Sequence, residues 1–173
     1  MDLKKYIRNI PDFPKKGIIF RDITTLIQHP VAFSETIEIF HSRYKTKHID
    51  IIAGIEARGF IFGAALAYKL GVGFVPIRKK GKLPWKTVSE TYELEYGTDT
   101  IEIHEDAIES GKSVLLMDDL IATGGSLLAA KNLVEKLGGR ILEAAVVIEL
   151  VDLKGREKIA PLELFSLVQF EGD

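Results

Sequence analysis

Apolar positions along the chain recur with the period of a helix in three segments. Within residues 30–45 the apolar side chains fall on one face, and Pro30 suits the first turn of a helix. Residues 58–70 are apolar on most sides, which predicts a helix that is deeply covered. Residues 126–137 again place apolar side chains on one face, and the following glycines are typical of a helix end. Three helices that pack against the rest of the chain are therefore expected.

Short apolar runs lie between and around these helices and predict buried strands. The runs cover residues 49–55, 73–77, 113–117, 140–150 and 164–168. Residues 91–96 and 100–104 flank a Gly-Thr-Asp turn and predict a β-hairpin. Strands that alternate with helices indicate an α/β fold with a mostly parallel twisted sheet and helices on both faces. Ligands bind to such sheets beyond the carboxyl ends of the strands, so the chemistry is expected there.

Two segments depart from this alternation. Residues 3–9 predict a short helix that Asp2 caps and Pro11 ends. Residues 78–89 are basic, are interrupted by glycine and proline, and are long for a connection, which predicts a flexible flap that leads into the hairpin. No linker or repeat divides the 173 residues, so a single domain is expected.

The composition narrows the classes of function. Cysteine is absent, which excludes a disulfide framework, a thiolate metal site and a cysteine nucleophile. A sequence pI of about 6.1 disfavours a general nucleic-acid binder. The N-terminus lacks the apolar stretch of a signal peptide, and no apolar run reaches the roughly 18 residues of a membrane helix. We therefore expect a soluble, cytoplasmic protein that binds neither nucleic acid nor membrane.

Residues 113–126 form the most informative motif. An apolar strand delivers Asp118 and Asp119 at its carboxyl end, a loop of small and hydroxyl-bearing residues follows, and a helix begins directly afterwards. The N–H groups of a helix N-terminus attract an anion, and Gly124 and Gly125 let a phosphate approach the backbone closely. Paired carboxylates repel a phosphate but accept hydrogen bonds from a diol. A phosphate and a diol at fixed separation describe a ribose 5-phosphate, although an Asx turn and an ordinary helix start would explain either half alone.

This motif resembles the phosphoribosyl pyrophosphate (PRPP) signature of the type I phosphoribosyltransferases. Further matching segments extend the resemblance over nearly the whole chain and cover residues 11–14, 17–23, 54–60, 78–84, 92–97 and 150–158. In this combination the chain is similar to the family members that use adenine. The resemblance implies the type I phosphoribosyltransferase fold, with residues 1–30 as a hood that binds the base and residues 78–104 as flap and hairpin.

The resemblance also implies that adenine and PRPP react to give AMP and pyrophosphate with the help of Mg²⁺, which substrate and water hold in the main. The implied catalytic residues are Glu95, Arg58, Asp118 and Asp119, with Glu95 as the general acid or base. The implied ligands of the 5-phosphate are Ala122, Thr123, Gly124, Gly125 and Ser126. The implied ligands of pyrophosphate are Ala57, Arg58, Lys79 and Lys82, with a cis peptide between Ala57 and Arg58. Arg78 is implied to reach the partner subunit's site in a homodimer. The implied adenine site is formed by Ile19, Phe20, Arg21 and Leu150.

Several alternatives stay open at this point. Glu95 also suits the exposed face of a hairpin strand, Phe20 and Leu150 suit an ordinary core, and the flap lysines suit solvent. A PRPP-binding regulator of the same fold without turnover and a transferase for another nucleobase are the competing functions. Ala122 stands where enzymes for 6-oxopurines carry an aspartate, which counts against hypoxanthine and guanine as substrates.

Overall fold

Within residues 1–94 and 96–172, which the computed structural model describes, seven strands form one sheet and two more form a small ribbon. The strands are β1 (Arg8–Pro11), β2 (Ile19–Asp22), β3 (Ile51–Ile55), β4 (Gly73–Lys79), β5 (Thr87–Glu93), β6 (Thr98–His104), β7 (Ser113–Ile121), β8 (Arg140–Leu150) and β9 (Leu164–Phe170). The α-helices are α1 (Thr24–Gln28), α2 (Pro30–Tyr44), α3 (Arg58–Leu70), α4 (Gly125–Lys136) and α5 (Gly155–Ile159). Short 3₁₀ helices occupy Leu3–Tyr6 and Val151–Leu153.

The strand order in the large sheet is β5–β6–β4–β3–β7–β8–β9. The pairs β3–β4, β3–β7, β7–β8 and β8–β9 are parallel, and the hairpin β5–β6 joins β4 in antiparallel fashion. The expected α/β fold with a mostly parallel sheet is therefore confirmed. From β3 the chain crosses to β4 on one side, whereas β7 pairs with β3 on the other side. This reversal opens a crevice at the carboxyl ends of these strands, where such sheets bind ligands.

Helices cover both faces of the sheet, and alternate residues of β7 supply the two cores. Leu115 and Met117 belong to the core beneath α2 and α3, which also contains the fully buried Phe62. Val114 and Leu116 belong to the core beneath α4. Because side chains alternate across a strand, a strand that is covered on both faces reads as a continuous apolar run. This alternation explains why β3, β7 and β8 could be recognised from the sequence.

The helix expected over residues 3–9 is wrong. Asp2 does cap a helix there, since its carboxylate accepts a hydrogen bond from the Lys4 N–H, but this 3₁₀ helix ends at Tyr6. Residues 8–11 then pair with β2, and Arg8 forms two hydrogen bonds with Asp22 opposite it. This cross-strand partner lies too far away in the sequence for local periodicity to reveal it, and tertiary pairing overrides helix propensity.

The hairpin begins earlier than expected, and two short helices were not expected at all. β5 starts at Thr87, inside the segment interpreted as the flap, so residues 80–86 alone connect β4 with β5. The flexibility of that connection stays a prediction. Neither α1 nor α5 exceeds five residues, which is too short for a helical period to stand out. Among the described residues, no helix is both long and apolar enough to span a membrane.

Candidate active site

An open cavity of about 700 Å³ lies at the carboxyl ends of β3, β4 and β7. Its lining combines these strand ends with the hairpin, the start of α3, the loop before α4, and α5. The lining residues are Ile55, Glu56, Ala57, Arg58, Lys79, Tyr92, Glu93, Leu94, Ile101, Asp118, Asp119, Leu120, Ala122, Thr123, Gly124, Gly125, Ser126 and Lys158. Most of the residues proposed for sugar, phosphate and pyrophosphate thus share one cavity.

The paired acids lie within β7 and not beyond it, which corrects the sequence interpretation. β7 continues to Ile121 and pairs with β8 as far as Glu149, because the residues after the acids are apolar as well. Asp118 and Asp119 are 7% and 6% exposed, and the Asp119 N–H donates to Asp118 Oδ1 at 2.8 Å. Burial, reinforced by the neighbouring Asp119 charge, raises the pKa of Asp118 well above its ordinary value.

Helix α3 presses its first turn against this acidic pair. A β-carbon on Gly59 would lie 3.0 Å from both Cα and Oδ1 of Asp118, so a side chain there would force the two apart. The preceding residue, Arg58, donates from Nε to Asp119 Oδ2 at 2.5 Å, with 47% of its own side chain exposed. Burial alone lowers the pKa of Arg58, but the Asp119 carboxylate outweighs it and leaves that pKa raised. The pair holds the guanidinium at the cavity wall.

The cis peptide of this region precedes Ala57 instead of following it. The bond between Glu56 and Ala57 is cis, so the expected cis peptide between Ala57 and Arg58 is wrong. Glu56 Oε1 accepts a hydrogen bond from the Lys79 N–H at 2.5 Å and thereby joins the turn after β3 to the end of β4.

The loop from Ala122 to Ser126 leads directly into α4. Gly124 has a φ of +86° and is the N-cap of α4, a conformation that favours glycine. Since glycine has no side chain to accept hydrogen bonds from the first turn, those N–H groups remain available to an anion. α4 is 12 residues long, so its dipole adds to the attraction. The loop is therefore suited to bind a phosphate group.

The basic residues at the other end of the cavity are only partly gathered there. Lys79 lines the cavity and pairs with Asp99 of β6, and this hydrogen bond raises the pKa of Lys79. Arg78 and Lys82 do not line the cavity. The Arg78 Nη1 atom lies 3.4 Å from the Lys82 carbonyl oxygen, and its Nε atom lies 3.5 Å from Glu56 Oε1.

The residues expected to bind adenine lie beside the cavity and do not line it. Phe20 packs edge-on against Phe13 with a centroid separation of 5.2 Å, and the Arg58 guanidinium carbon lies 5.9 Å from the centre of its ring. Arg21 stacks on Phe170 at 4.3 Å. Ile19 is half-buried in β2, and Leu150 ends β8 packed against the core. Phe20 is thus the contact between this group and the cavity.

Glu95, expected to act as acid or base, lies outside the described residues. Sequence reasoning also missed roles for three residues that line the cavity: Glu56, Tyr92 and Lys158. The Tyr92 ring packs over Gly125, where a β-carbon would lie 3.3 Å from its Cδ2 atom. All three belong to matching segments, 54–60, 92–97 and 150–158, so a signal for them was present in the sequence.

Comparison with known proteins agrees with this geometry. The sequence profile of the phosphoribosyl transferase domain matches residues 22–171. The adenine phosphoribosyltransferase of Desulfosudis oleivorans is 60% identical over 173 residues, which cover all of both chains. The crystal structure of adenine phosphoribosyltransferase from Thermoanaerobacter pseudethanolicus is similar with a TM-score of 0.94 and 51% identity, over 98% of both chains. The adenine phosphoribosyltransferase from Saccharomyces cerevisiae, complexed with an imino-altritol bisphosphate and adenine, has a TM-score of 0.92 and 45% identity and covers 96% of this chain and 97% of its own.

Proposed function

The chain belongs to the phosphoribosyltransferase family, and from that premise we propose that it transfers the 5-phosphoribosyl group of PRPP to N9 of adenine, giving AMP and pyrophosphate. The observation that carries this proposal is that two buried carboxylates and a glycine-rich loop at a helix N-terminus face one cavity. The carboxylates suit a ribose diol, and the loop suits the phosphate of the same sugar. In purine salvage this reaction recovers adenine as a nucleotide.

Asp118 and Asp119 hold the ribose in this proposal. Their oxygens accept hydrogen bonds from its hydroxyl groups while the loop from Ala122 to Ser126 binds the 5-phosphate. When the bond from the anomeric carbon to pyrophosphate breaks, positive charge develops on the sugar ring. Fixed carboxylates at that position stabilise the charge, and they act strongly because the pair is shielded from water.

The leaving pyrophosphate is bound by Ala57, Arg58 and Lys79. Arg58 and Lys79 are each paired with a carboxylate and so are already held at the cavity wall. Pyrophosphate carries more negative charge than one carboxylate and competes with Asp119 and Asp99 for these cations. We assign Lys82, and Arg78 from the partner subunit, to the same group on the strength of the sequence motif.

Magnesium is proposed as the ion that accompanies PRPP. Among the described residues, no group of three or more His, Asp or Glu side chains is arranged to hold a metal ion. We propose that substrate oxygens and water supply most of the ligands of this ion, and we assign no protein side chain to it. Mg²⁺ bound to PRPP would neutralise negative charge on the leaving pyrophosphate.

Adenine is assigned to the space beside Phe20. Phe20 and Leu150 supply apolar contacts to the purine, and the backbone of Ile19 and Arg21 reads its polar edge. Attack by N9 requires that a proton be moved at the base, and Glu95 is assigned this task from the sequence motif alone. Glu95→Gln is expected to lower turnover with little effect on the affinity for PRPP, and unchanged turnover would remove Glu95 from the mechanism.

The test of the proposed function is the release of pyrophosphate from PRPP and Mg²⁺ with a panel of nucleobases. Adenine is expected to support turnover, whereas hypoxanthine, guanine and xanthine are not. Turnover with one of the other bases instead would correct the substrate. Binding of PRPP without turnover on any base would replace the transferase with a regulatory protein.

The assembly and the location are proposals as well. We propose a homodimer, because the assignment of Arg78 requires a second subunit. We also propose that the protein is cytoplasmic. The molecular mass in solution should be measured at a protein concentration at which the enzyme is fully active. The mass of a monomer under that condition would contradict the dimer.

A further inference from the structure

The segment after β8 matches the family motif but has no part in the reaction as described so far. It contains α5, whose residue Lys158 lines the cavity.

Helix α5 and the phosphate loop interlock through their backbones. A β-carbon on Gly155 would lie 2.4 Å from the Ala122 carbonyl oxygen, and one on Gly124 would lie 2.8 Å from the Gly155 carbonyl oxygen. Neither position has room for a side chain, so the first residue of α5 rests directly on the loop. The position of the loop thus fixes the position of α5.

A second contact fixes the other side of this short helix. Arg156 donates two hydrogen bonds to the carboxylate of Glu149 in β8, at 2.9 and 2.6 Å, and a third to the Leu164 carbonyl oxygen at 2.6 Å. Glu149 is 4% exposed, so this bidentate pair is anchored in the sheet. With both sides held, α5 presents Lys158 in a defined direction.

That direction leads to the phosphate loop. Lys158 Nζ lies 3.9 Å from the point where a β-carbon of Gly125 would be. The loop from Ala122 to Ser126 contains no basic side chain of its own. Lys158 is exposed to solvent and forms no salt bridge within the described part of the chain. A cation without a carboxylate partner therefore faces the N-terminus of α4.

We propose that Lys158 binds the 5-phosphate of PRPP and of the product AMP. It supplies the positive charge that the loop lacks, while the loop supplies the N–H donors. This inference rests on the proposed function, since it concerns the phosphate subsite of the same cavity.

The experiment measures the binding of three ligands by calorimetry to the wild type, Lys158→Gln, Lys158→Arg and a control, Lys45→Gln. Lys45 is an exposed lysine at the end of α2 that does not line the cavity. Lys158→Gln is expected to weaken the binding of AMP roughly tenfold, which corresponds to the loss of one charge-assisted hydrogen bond. Two ligands are expected to bind Lys158→Gln as tightly as they bind the wild type: adenosine, which lacks the phosphate, and pyrophosphate. Lys158→Arg should recover most of the affinity for AMP, and Lys45→Gln should leave it unchanged.

The outcomes separate this inference from the proposed function. If the wild type does not bind AMP, the proposed function fails. If the wild type binds AMP and Lys158→Gln binds it equally well, only the role of Lys158 is overturned. A selective loss of affinity for pyrophosphate would also overturn it, because the lysine would then serve the leaving group.

Discussion

Asp118→Asn is expected to make the protein more stable and nearly inactive. The substitution keeps the shape of the side chain and the acceptor for the Asp119 N–H at 2.8 Å. It removes a carboxylate whose pKa is raised by burial and by the neighbouring Asp119 charge. An acid whose pKa is raised by folding destabilises the folded state at every pH at which the unfolded chain would ionise it. We therefore expect the free energy of unfolding at pH 7 to rise by about 0.5–2 kcal/mol, the range that single stabilising substitutions commonly give.

The matched control is Glu143→Gln, the same change from carboxylate to amide at a buried acid whose pKa is lowered instead of raised. Burial tends to raise the pKa of Glu143, but hydrogen bonds from Arg43 at 2.9 and 2.5 Å and from the Tyr44 hydroxyl at 2.6 Å leave it lowered. Only 3% of the Glu143 side chain is exposed, so its loss leaves Arg43 without its carboxylate partner. We expect a cost of about 3 kcal/mol at pH 7 and little change in the activity of the folded protein.

Both stability effects depend on pH, with opposite signs. The destabilisation by Asp118 develops as the pH rises above 3.8, the pKa of this acid in the unfolded chain, and it is complete above the raised pKa of the folded state. The gain in stability of Asp118→Asn therefore vanishes at low pH. The stabilisation by Glu143 is complete above the unfolded value of 4.5 and is lost as the pH falls through the lowered folded value. Urea denaturation between about pH 2 and pH 8 measures both effects, because each of them disappears only below pH 4.

Turnover with adenine and PRPP decides the functional half of this prediction. We expect Asp118→Asn to lose at least about 100-fold, the usual effect of removing a group that stabilises charge in a transition state. If Asp118→Asn loses stability in proportion to activity, the acid is structural and the reasoning fails. A gain in stability that does not change with pH would refute the assigned cause.

Three further substitutions test other parts of the site and fold. Gly124→Ala places a β-carbon at a φ of +86° and 2.8 Å from the Gly155 carbonyl oxygen, so we expect a loss of at least about 1 kcal/mol of stability and weaker PRPP binding, measured by denaturation and calorimetry. Lys79→Met removes a cation from the cavity and is expected to raise the inhibition constant of pyrophosphate about tenfold while AMP binds as before; equal losses for both ligands would contradict its place at the pyrophosphate end. Asp22→Asn is expected to lower the free energy of unfolding by about 2 kcal/mol above pH 4, because hydrogen bonds from Thr24 and Arg8 lower the pKa of Asp22 from 3.8 to about 2. This loss of stability should fade as the pH falls through 2. A loss that stays constant with pH would point to lost packing instead.

The sequence recovered the elements whose signal is local. α3 was predicted with the bounds Arg58–Leu70 that the structure has, and β8 with the bounds Arg140–Leu150. Both segments are long and strongly apolar, and they stand out from the polar connections on either side. The prediction was wrong for residues 3–9, where a cross-strand bond from Arg8 to Asp22 decides the outcome.

The phosphate loop and the acidic pair were recognised because their residues follow one another in the chain. Lys158 lies in a segment that matches the family motif, but it received no role from the sequence, because its neighbours in the chain do not identify the anion it faces. Its neighbour Gly125 lies in another segment, and the interlocked glycines 124 and 155 bring the two together. The ion pairs from Arg58 to Asp119 and from Lys79 to Asp99 were hidden for the same reason.

The sequence by itself determined the alternation of strands and helices and the chemistry that each loop carries, since hydrophobic period and residue type are properties of neighbouring positions. Only the tertiary structure decided which of those loops share a cavity. Parallel pairing of β3 with β4 and β7 brings three distant strand ends to one edge of the sheet. Burial there then raises the pKa of Asp118, because the cost of removing a carboxylate from water depends on everything packed around it.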